Sequence, residues 1–143
     1  MELIIKHFKD LTTDELFNIY KLRISVFVVE QNCPYQEVDD IDKNAYHLYL
    51  IENNNILAYA RVFSIDDSTM AIGRVIATKR RCGLGSNILQ AAINLAKEQK
   101  LAKKIIIEAQ TYTKPFYEKQ GFYQISDEFL EDGIPHIKMK LDL

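Results

Sequence analysis

Two arginines and two glycines in Arg80-Arg81-Cys82-Gly83-Leu84-Gly85-Ser86-Asn87 give the chain its densest chemical signal. Glycine has no Cβ to hold a ligand off the backbone, and it turns left-handed without penalty. The preceding run, Met70 to Thr78, reads as a strand. The following one, Leu84 to Lys100, reads as a helix with Leu84, Ile88, Ala91, Ala92, Leu95 and Ala96 on one face. The stretch therefore lies where a strand turns into a helix. The first turn of a helix carries N–H groups without intrahelical acceptors, at the positive end of the dipole. With guanidinium forks beside it, such a turn suits an anion, most readily a phosphate. The bland alternative is a glycine-lined turn with no ligand and ordinary surface charge. Two common phosphate loops do not fit. No Lys-Ser/Thr follows Gly85 as in a P-loop, and Ile88 stands where a dinucleotide loop needs its third glycine.

The elements that must position this turn follow from patterning. Leu3 to Phe8 reads as a first strand. Thr12 with Glu15 makes a capping box, starting a helix whose apolar face is Leu16, Ile19, Tyr20, Val26 and Phe27. Arg23 falls on that face, so it either reaches a carboxylate or borders a pocket. Glu30 to Asp42 holds Pro34 and the acids Glu30, Glu37, Asp39, Asp40 and Asp42, and reads as an irregular surface segment with a helical turn. Acids this dense are expected to be solvated, although a long loop is often functional. His47 to Ile51 and Ile56 to Phe63 flank Glu52-Asn53-Asn54-Asn55, a hairpin with asparagines at its left-handed positions. Asp66-Asp67-Ser68 turns the chain into Met70 to Thr78. Lys104 to Gln110 reads as a buried strand parallel to a neighbour, Pro115 opens a short helix ended by Gly121, and Phe122–Ser126 with Ile137–Leu141 close the sheet. Glu131 to His136 reads as a turn between them. The expected fold is a single mixed α/β domain spanning 1–143.

Bulk properties exclude several classes. At 143 residues, 48% hydrophobic and 27% charged, the chain suits one folded domain. A net charge of −2 gives no general reason to expect nucleic acid. Two cysteines make neither a disulfide framework nor a zinc site. No signal peptide or membrane span is read from the sequence, so a reducing cytoplasm is expected.

Arg80-x-x-Gly83-x-Gly85 resembles the Q/R-x-x-G-x-G/A signature of the GNAT N-acetyltransferases. Phe116-Tyr117-Glu118-Lys119-Gln120-Gly121-Phe122 resembles that superfamily's F-Y-x-x-x-G-F segment. The run from Val26 to Tyr35 with Leu22-Arg23, Gly73-Arg74-Val75-Ile76, Ala109-Gln110, and Glu131 to His136 is similar to its ElaA-like branch. The resemblance implies a GNAT-like acyl-CoA N-acyltransferase fold: a mostly antiparallel sheet, a central splayed parallel pair and helices on both faces. It implies acetyl-CoA as co-substrate and no metal. Arg80, Arg81, Cys82, Gly83, Leu84, Gly85 and Ser86 would hold the pyrophosphate, and backbone of Val75, Ile76 and Ala77 the pantetheine arm, with an N–H polarising the thioester carbonyl. The connection from Ala77 to Arg80 is shorter than the family's usual one.

Tyr117 would protonate the leaving thiolate and Gln110 would contact the cofactor; plain aromatic packing is the alternative for Tyr117. Candidates for activating the amine are Glu30, Glu37, His47, Glu108 and His136. Arg23, Glu30 and Glu37 are candidates for binding the acceptor, and the acids favour a cationic one, such as a polyamine, aminosugar or lysine side chain. The implied function is acetyl transfer to a primary amine in a ternary complex, with no nucleic-acid or membrane partner and a homodimer left open. Two alternatives stand: a regulatory module that holds acyl-CoA without turnover, and an acceptor other than nitrogen.

Overall fold

A computed structural model describes residues 1–80 and 82–143. β1 (Glu2–His7) runs along one edge of the sheet and is followed by α1 (Thr13–Ile24). The capping box forms as the spacing requires: Thr12 Oγ1 accepts from the Glu15 N–H at 3.1 Å, and Glu15 Oε1 accepts from the Thr12 N–H at 3.0 Å. α1 then widens into a π-helical turn, Ser25–Glu30. Irregular chain leads to a 3₁₀ turn, Asp40–Asn44, and into β2 (Tyr46–Glu52) and β3 (Asn55–Asp66). Asn53 and Asn54 have φ of 51° and 64°, the primed turn that suits a twisted hairpin.

β4 (Thr69–Ala77) leads to α2 (Leu84–Glu98), two residues shorter than the apolar pattern suggests, because Gln99 leaves with extended ψ. β5 (Lys104–Gln110), α3 (Lys114–Glu118), β6 (Tyr123–Gln124), β7 (Phe129–Glu131) and β8 (Ile134–Asp142) complete the chain. The segment expected to be only a turn, Glu131 to His136, is instead a β7–β8 hairpin. Asp132 and Gly133 supply φ of 50° and 77° at its tip.

The strand order is β1-β2-β3-β4-β5-β8-β6, with β7 on β8; among the described residues only β4 and β5 pair in parallel. Residues alternate between the two faces of the sheet. On one face α2 buries Leu84, Ile88, Leu89, Ala92, Ile93, Leu95 and Ala96 against Leu48, Val62, Ile105, Ile107, Ile137 and Met139, with Tyr117 and Phe122 at the α3 end. On the other, α1 seats Ile19 against Tyr49, Tyr59 and Ile76. Among the described residues no helix is long and apolar enough to cross a membrane.

Candidate functional site

The parallel pair is short. β4 and β5 are in register only at Thr69/Lys104, Met70/Ile105 and Ala71/Ile106. Beyond Ala71 and Ile106 they part, β4 staying with β3 as far as Ala77/Ala58 and β5 with β8 as far as Gln110/His136. Backbone along 72–77 and 107–110 therefore borders an opening at the carboxyl ends of a parallel pair, where open α/β sheets characteristically take ligands. An extended ligand can pair with such an edge as an added strand.

Both helices that follow these strands start at the same end. Gly83, the N-cap of α2, has φ of +76°, and a Cβ there would meet nothing within 4 Å. The Asn87 N–H donates to Gly83 O at 3.0 Å, which opens the helical ladder and leaves the N–H groups before it without intrahelical acceptors. At Gly85 the reason for glycine is different: a Cβ would lie 3.3 Å and 3.4 Å from the Phe116 ring, so its absence lets α3 close on α2. Arg80, Cys82 and Ser86 are exposed and Leu84 is buried; Arg81 lies outside the described residues. Tyr117 is 9% exposed, edge-on to Phe116 and Phe122. Burial pushes its phenol above the ordinary range, so it keeps its proton at neutral pH.

On the α1 face a buried polar network lies beside the apolar seat of Ile19 on Tyr49, Tyr59 and Ile76. Arg23, 0% exposed, donates from Nε to both Glu37 carboxylate oxygens, at 3.1 Å and 3.0 Å, and from its terminal nitrogens to Asp42 at 2.7 Å and 3.0 Å. Arg61 joins Asp39 at 2.7 Å and Asp42 at 2.9 Å. Arg74 grips the Glu37 carboxylate and donates to the Glu37 carbonyl at 2.9 Å. Burial opposes ionisation of Asp39 and Asp42, but the arginine bonds outweigh it and hold both carboxyls below the usual range.

His47 Nε2 lies 3.0 Å from Asp42 O, a group that only accepts, so Nε2 carries the proton and Nδ1 accepts from Tyr59 Oη at 2.6 Å. Burial lowers the affinity of that imidazole for a second proton.

Across the opening runs a strap, residues 31–37. Gln110 Nε2 donates to Gln31 Oε1 at 3.2 Å and Cys33 Sγ to Asp132 O at 3.4 Å, tying one end to β5 and the β7–β8 turn. Glu37 ties the other end to β4 through Arg74. By register and alternation Glu108, Gln110 and His136 share the α1 face. His136 Nδ1 donates to Ile134 O at 2.6 Å, leaving Nε2 3.6 Å from Glu131 Oε2. Burial and the neighbouring Glu108 carboxylate raise the Glu131 carboxyl above its ordinary value.

The opening brings together Val75–Ala77, Gly83–Ser86, Gln110 and Tyr117 at the same end of the parallel pair, with Glu108 and His136 on the α1 face beyond. Three expectations are corrected. Arg23 and Glu37 do not face an acceptor, because both are fully buried and their polar atoms bind each other, Asp42 and Arg74. Three of the acids expected to be solvated, Glu37, Asp39 and Asp42, are instead paired with arginines. His47 is likewise sealed at 0% exposure. Glu30 is exposed at the end of the π turn, and its side chain makes no hydrogen bond or ion pair among the described residues. Sequence reasoning gave no role to Arg61, Arg74 or Glu131. The signal for the arginines is the spacing Glu37-x-Asp39-x-x-Asp42, too much negative charge for a segment this apolar at Tyr35 and Val38 to leave unpaired.

Residues 10–143 match the family model described as "Acetyltransferase (GNAT) domain". A UPF0039 protein of Schizosaccharomyces pombe is 41% identical over 147 residues, covering 100% of this chain and 98% of its own. Protein ElaA of Escherichia coli is 34% identical over 139 residues, covering 93% and 91%. Among solved structures, an acyl-CoA N-acyltransferase from Pseudomonas aeruginosa superposes with a TM-score of 0.90 at 36% identity, covering 98% of this chain and 99% of that one. Escherichia coli ElaA superposes with a TM-score of 0.92 over the same shares. With the opened parallel pair and the glycine turn at its mouth, these likenesses have one reading: the chain belongs to the GNAT acetyltransferase superfamily, in its ElaA-like branch.

Proposed function

We propose that the protein transfers the acetyl group of acetyl-CoA to a primary amine by direct attack within a ternary complex. The observation that carries this reading is the edge of β4 over 72–77 that β5 has left unpaired, opening onto a glycine turn and a buried tyrosine on one side and carboxylates on the other. The residues fit the co-substrate: Gly83 leaves open space where a Cβ would stand, and at Gly85 a Cβ would crowd the Phe116 ring at 3.3 Å, so glycine keeps the turn close to α3. Acetyl-CoA supplies an activated thioester acyl group. The N–H groups of Gly83 to Ser86 and the Arg80 guanidinium bind pyrophosphate, while Val75, Ile76 and Ala77 lie along the pantetheine arm. A backbone N–H of that edge steadies negative charge on the acyl oxygen. Tyr117, kept protonated by burial, donates to the sulfur as it leaves.

The amine approaches from the α1 face and gives its proton to Glu108, with Glu131 and His136 beside it. The charge balance supports a cationic acceptor for a different reason from the one the acidic segment suggests. Glu37, Asp39 and Asp42 are already matched by Arg23, Arg61 and Arg74. The carboxylates left to meet an ammonium group include Glu108 and Glu131 on the β5–β8 side and Glu30 at the end of the π turn.

The deciding measurement is thiol release from acetyl-CoA over a panel of polyamines, aminosugars and lysine peptides, with wild type beside Tyr117→Phe. Turnover by wild type is expected, and the variant should lose on the order of 10²-fold in kcat with CoA binding retained. Thermal stabilisation by CoA with no turnover on any amine would overturn the enzymatic reading in favour of an acyl-CoA-binding module.

A further inference from the structure

We propose that Glu37 and Arg74 form a positioning lock for acyl transfer: Glu37 holds the Arg74 side chain so that the bulge in β4 keeps the backbone of Val75 and Ile76 aimed into the splay. The lock presupposes the acyl transfer proposed for that opening. It starts from a backbone oddity. Arg74 has φ of +55°, a left-handed conformation that few residues other than glycine adopt. Gly73, its neighbour, could take that turn without cost, yet it is Arg74 that does so. Arginine also lacks the short polar side chain with which asparagine or aspartate compensates the conformation locally.

The compensation comes from the side chain's far end. Nε grips the Glu37 carboxylate, a terminal nitrogen donates to the Glu37 carbonyl at 2.9 Å, and another contact reaches Asp39 at 3.6 Å. The guanidinium carbon lies 5.6 Å from the centre of the Tyr35 ring and 6.0 Å from that of Phe27. Glu37 is itself immovable. It is 1% exposed and doubly bonded to Arg23, which Asp42 clamps from the opposite side.

The place of this lock gives it a function. The β3–β4 register shifts between Tyr59/Ile76 and Arg61/Gly73, so the bulge falls at Arg74. The residues just after it border the opening where β5 has left β4. A bulge re-aims the strand that follows, and here that strand carries the backbone groups assigned to the acyl oxygen. Three arginines and three acids cancel in the network, so the lock contributes direction and no net charge. Its loss should therefore slow turnover while leaving substrate affinity in place, which distinguishes it from a binding residue.

The test compares Arg74→Gly, Arg74→Lys and Glu37→Gln with wild type. It combines steady-state kinetics, CoA binding by calorimetry and backbone amide NMR of Val75 and Ile76. Arg74→Gly frees the bulge without straining it and is expected to fold; it carries the test if Glu37→Gln, which strips Arg23 of a partner, does not. The expected result is a kcat lower by about 10- to 100-fold, KM for acetyl-CoA and CoA affinity within about twofold of wild type, and displaced or broadened Val75 and Ile76 amide resonances. Arg74→Lys, lacking the fork, should fail to restore turnover. Unchanged kcat in Arg74→Gly, or a change in KM alone, overturns the lock. Should wild type bind CoA but turn over no amine, the acyl-transfer reading fails separately and the amide resonances decide the lock: if unmoved in Arg74→Gly, it is wrong.

Discussion

The two faces of the sheet are built by different chemistry. Under α2 the buried side chains are apolar, from Leu48 and Val62 to Ile105 and Met139, and the glycine turn above them offers backbone N–H groups. Under α1 and the strap lie Arg23, Glu37, Asp42, His47 and Arg61, all less than 4% exposed and joined by ion pairs and hydrogen bonds. Apolar packing tolerates local adjustment, since it is non-directional. A buried ionic network has few acceptable geometries, because every unmatched charge costs several kcal/mol. On the proposed function the difference becomes a division of labour: the α2 side would hold the co-substrate, while the α1 side fixes the irregular strap across the opening.

The largest effect expected from this contrast is on stability. Arg23→Met fits an apolar side chain into the same space but leaves Glu37 and Asp42 buried without their central cation. Removing one partner of a buried pair costs roughly 3–5 kcal/mol, a large share of the roughly 5–15 kcal/mol that holds a domain folded. Denaturant unfolding should show that loss, with thiol release falling in parallel. A loss below about 1 kcal/mol, the size typical of exposed pairs, would mean that the network is solvated in solution and the two faces are not distinct.

The α2 side was legible because its signals are local in sequence. Gly83 and Gly85, the strand before them and the period of α2 all lie within one β–turn–α unit, and the Phe116–Phe122 segment follows at family spacing. The capping box at Thr12 and Glu15 and the Asn53-Asn54 turn were local too. The α1 side was legible only in part, its helix and an Arg23 able to reach a carboxylate but not that residue's partners, for the complementary reason. Arg23 meets Glu37 and Asp42 across 14 and 19 residues, and Arg74 meets Glu37 across 37. Alternation puts Arg61 on the inner face of β3 but cannot say that Asp39 and Asp42 will reach it. The β7 strand was hidden in the same way: Asp132-Gly133 was seen as a turn, but the short partner strand Phe129–Glu131 has too few residues to show a period.

A second substitution tests the other face. Gly85→Val puts branched carbon where even a Cβ lies 3.3 Å from the Phe116 ring, so α2 and α3 must separate. Overpacking of this kind costs about 1–3 kcal/mol. CoA affinity is expected to drop at least about tenfold, since roughly 1.4 kcal/mol is a factor of ten. Gly83→Ala meets no neighbour and should cost only the left-handed strain, about 1 kcal/mol. A Gly85→Val protein that keeps wild-type thermal stabilisation by CoA would remove the α2 turn from the binding site. With Arg74→Gly, this variant sharpens the comparison: one change should weaken binding, the other should spare it and slow turnover.

The smallest effect concerns acid. Burial of Glu15 favours its neutral form, but hydrogen bonds from the Thr12 N–H, Tyr49 and Lys6 prevail and hold its carboxyl at about 2 instead of 4.5. Because the folded value lies below the unfolded one, the stabilisation is complete above about pH 4.5 and disappears as pH falls toward about 2. Asp39 and Asp42 are shifted in the same direction and add to the trend, while the arginines opposite them stay charged throughout. Acid should therefore loosen α1, the strap and the β1–β2 edge before it reaches the apolar α2 face. Hydrogen exchange followed down through that range should show amides of Thr13–Glu30 losing protection ahead of those of Leu84–Glu98. Glu15→Gln keeps an acceptor for the Thr12 N–H but loses the charge facing Lys6, so it should cost up to about 1 kcal/mol at neutral pH and flatten the acid dependence of stability. If both helices lose protection together and Glu15→Gln leaves the acid slope unchanged, the polar face is no weaker in acid than the apolar one.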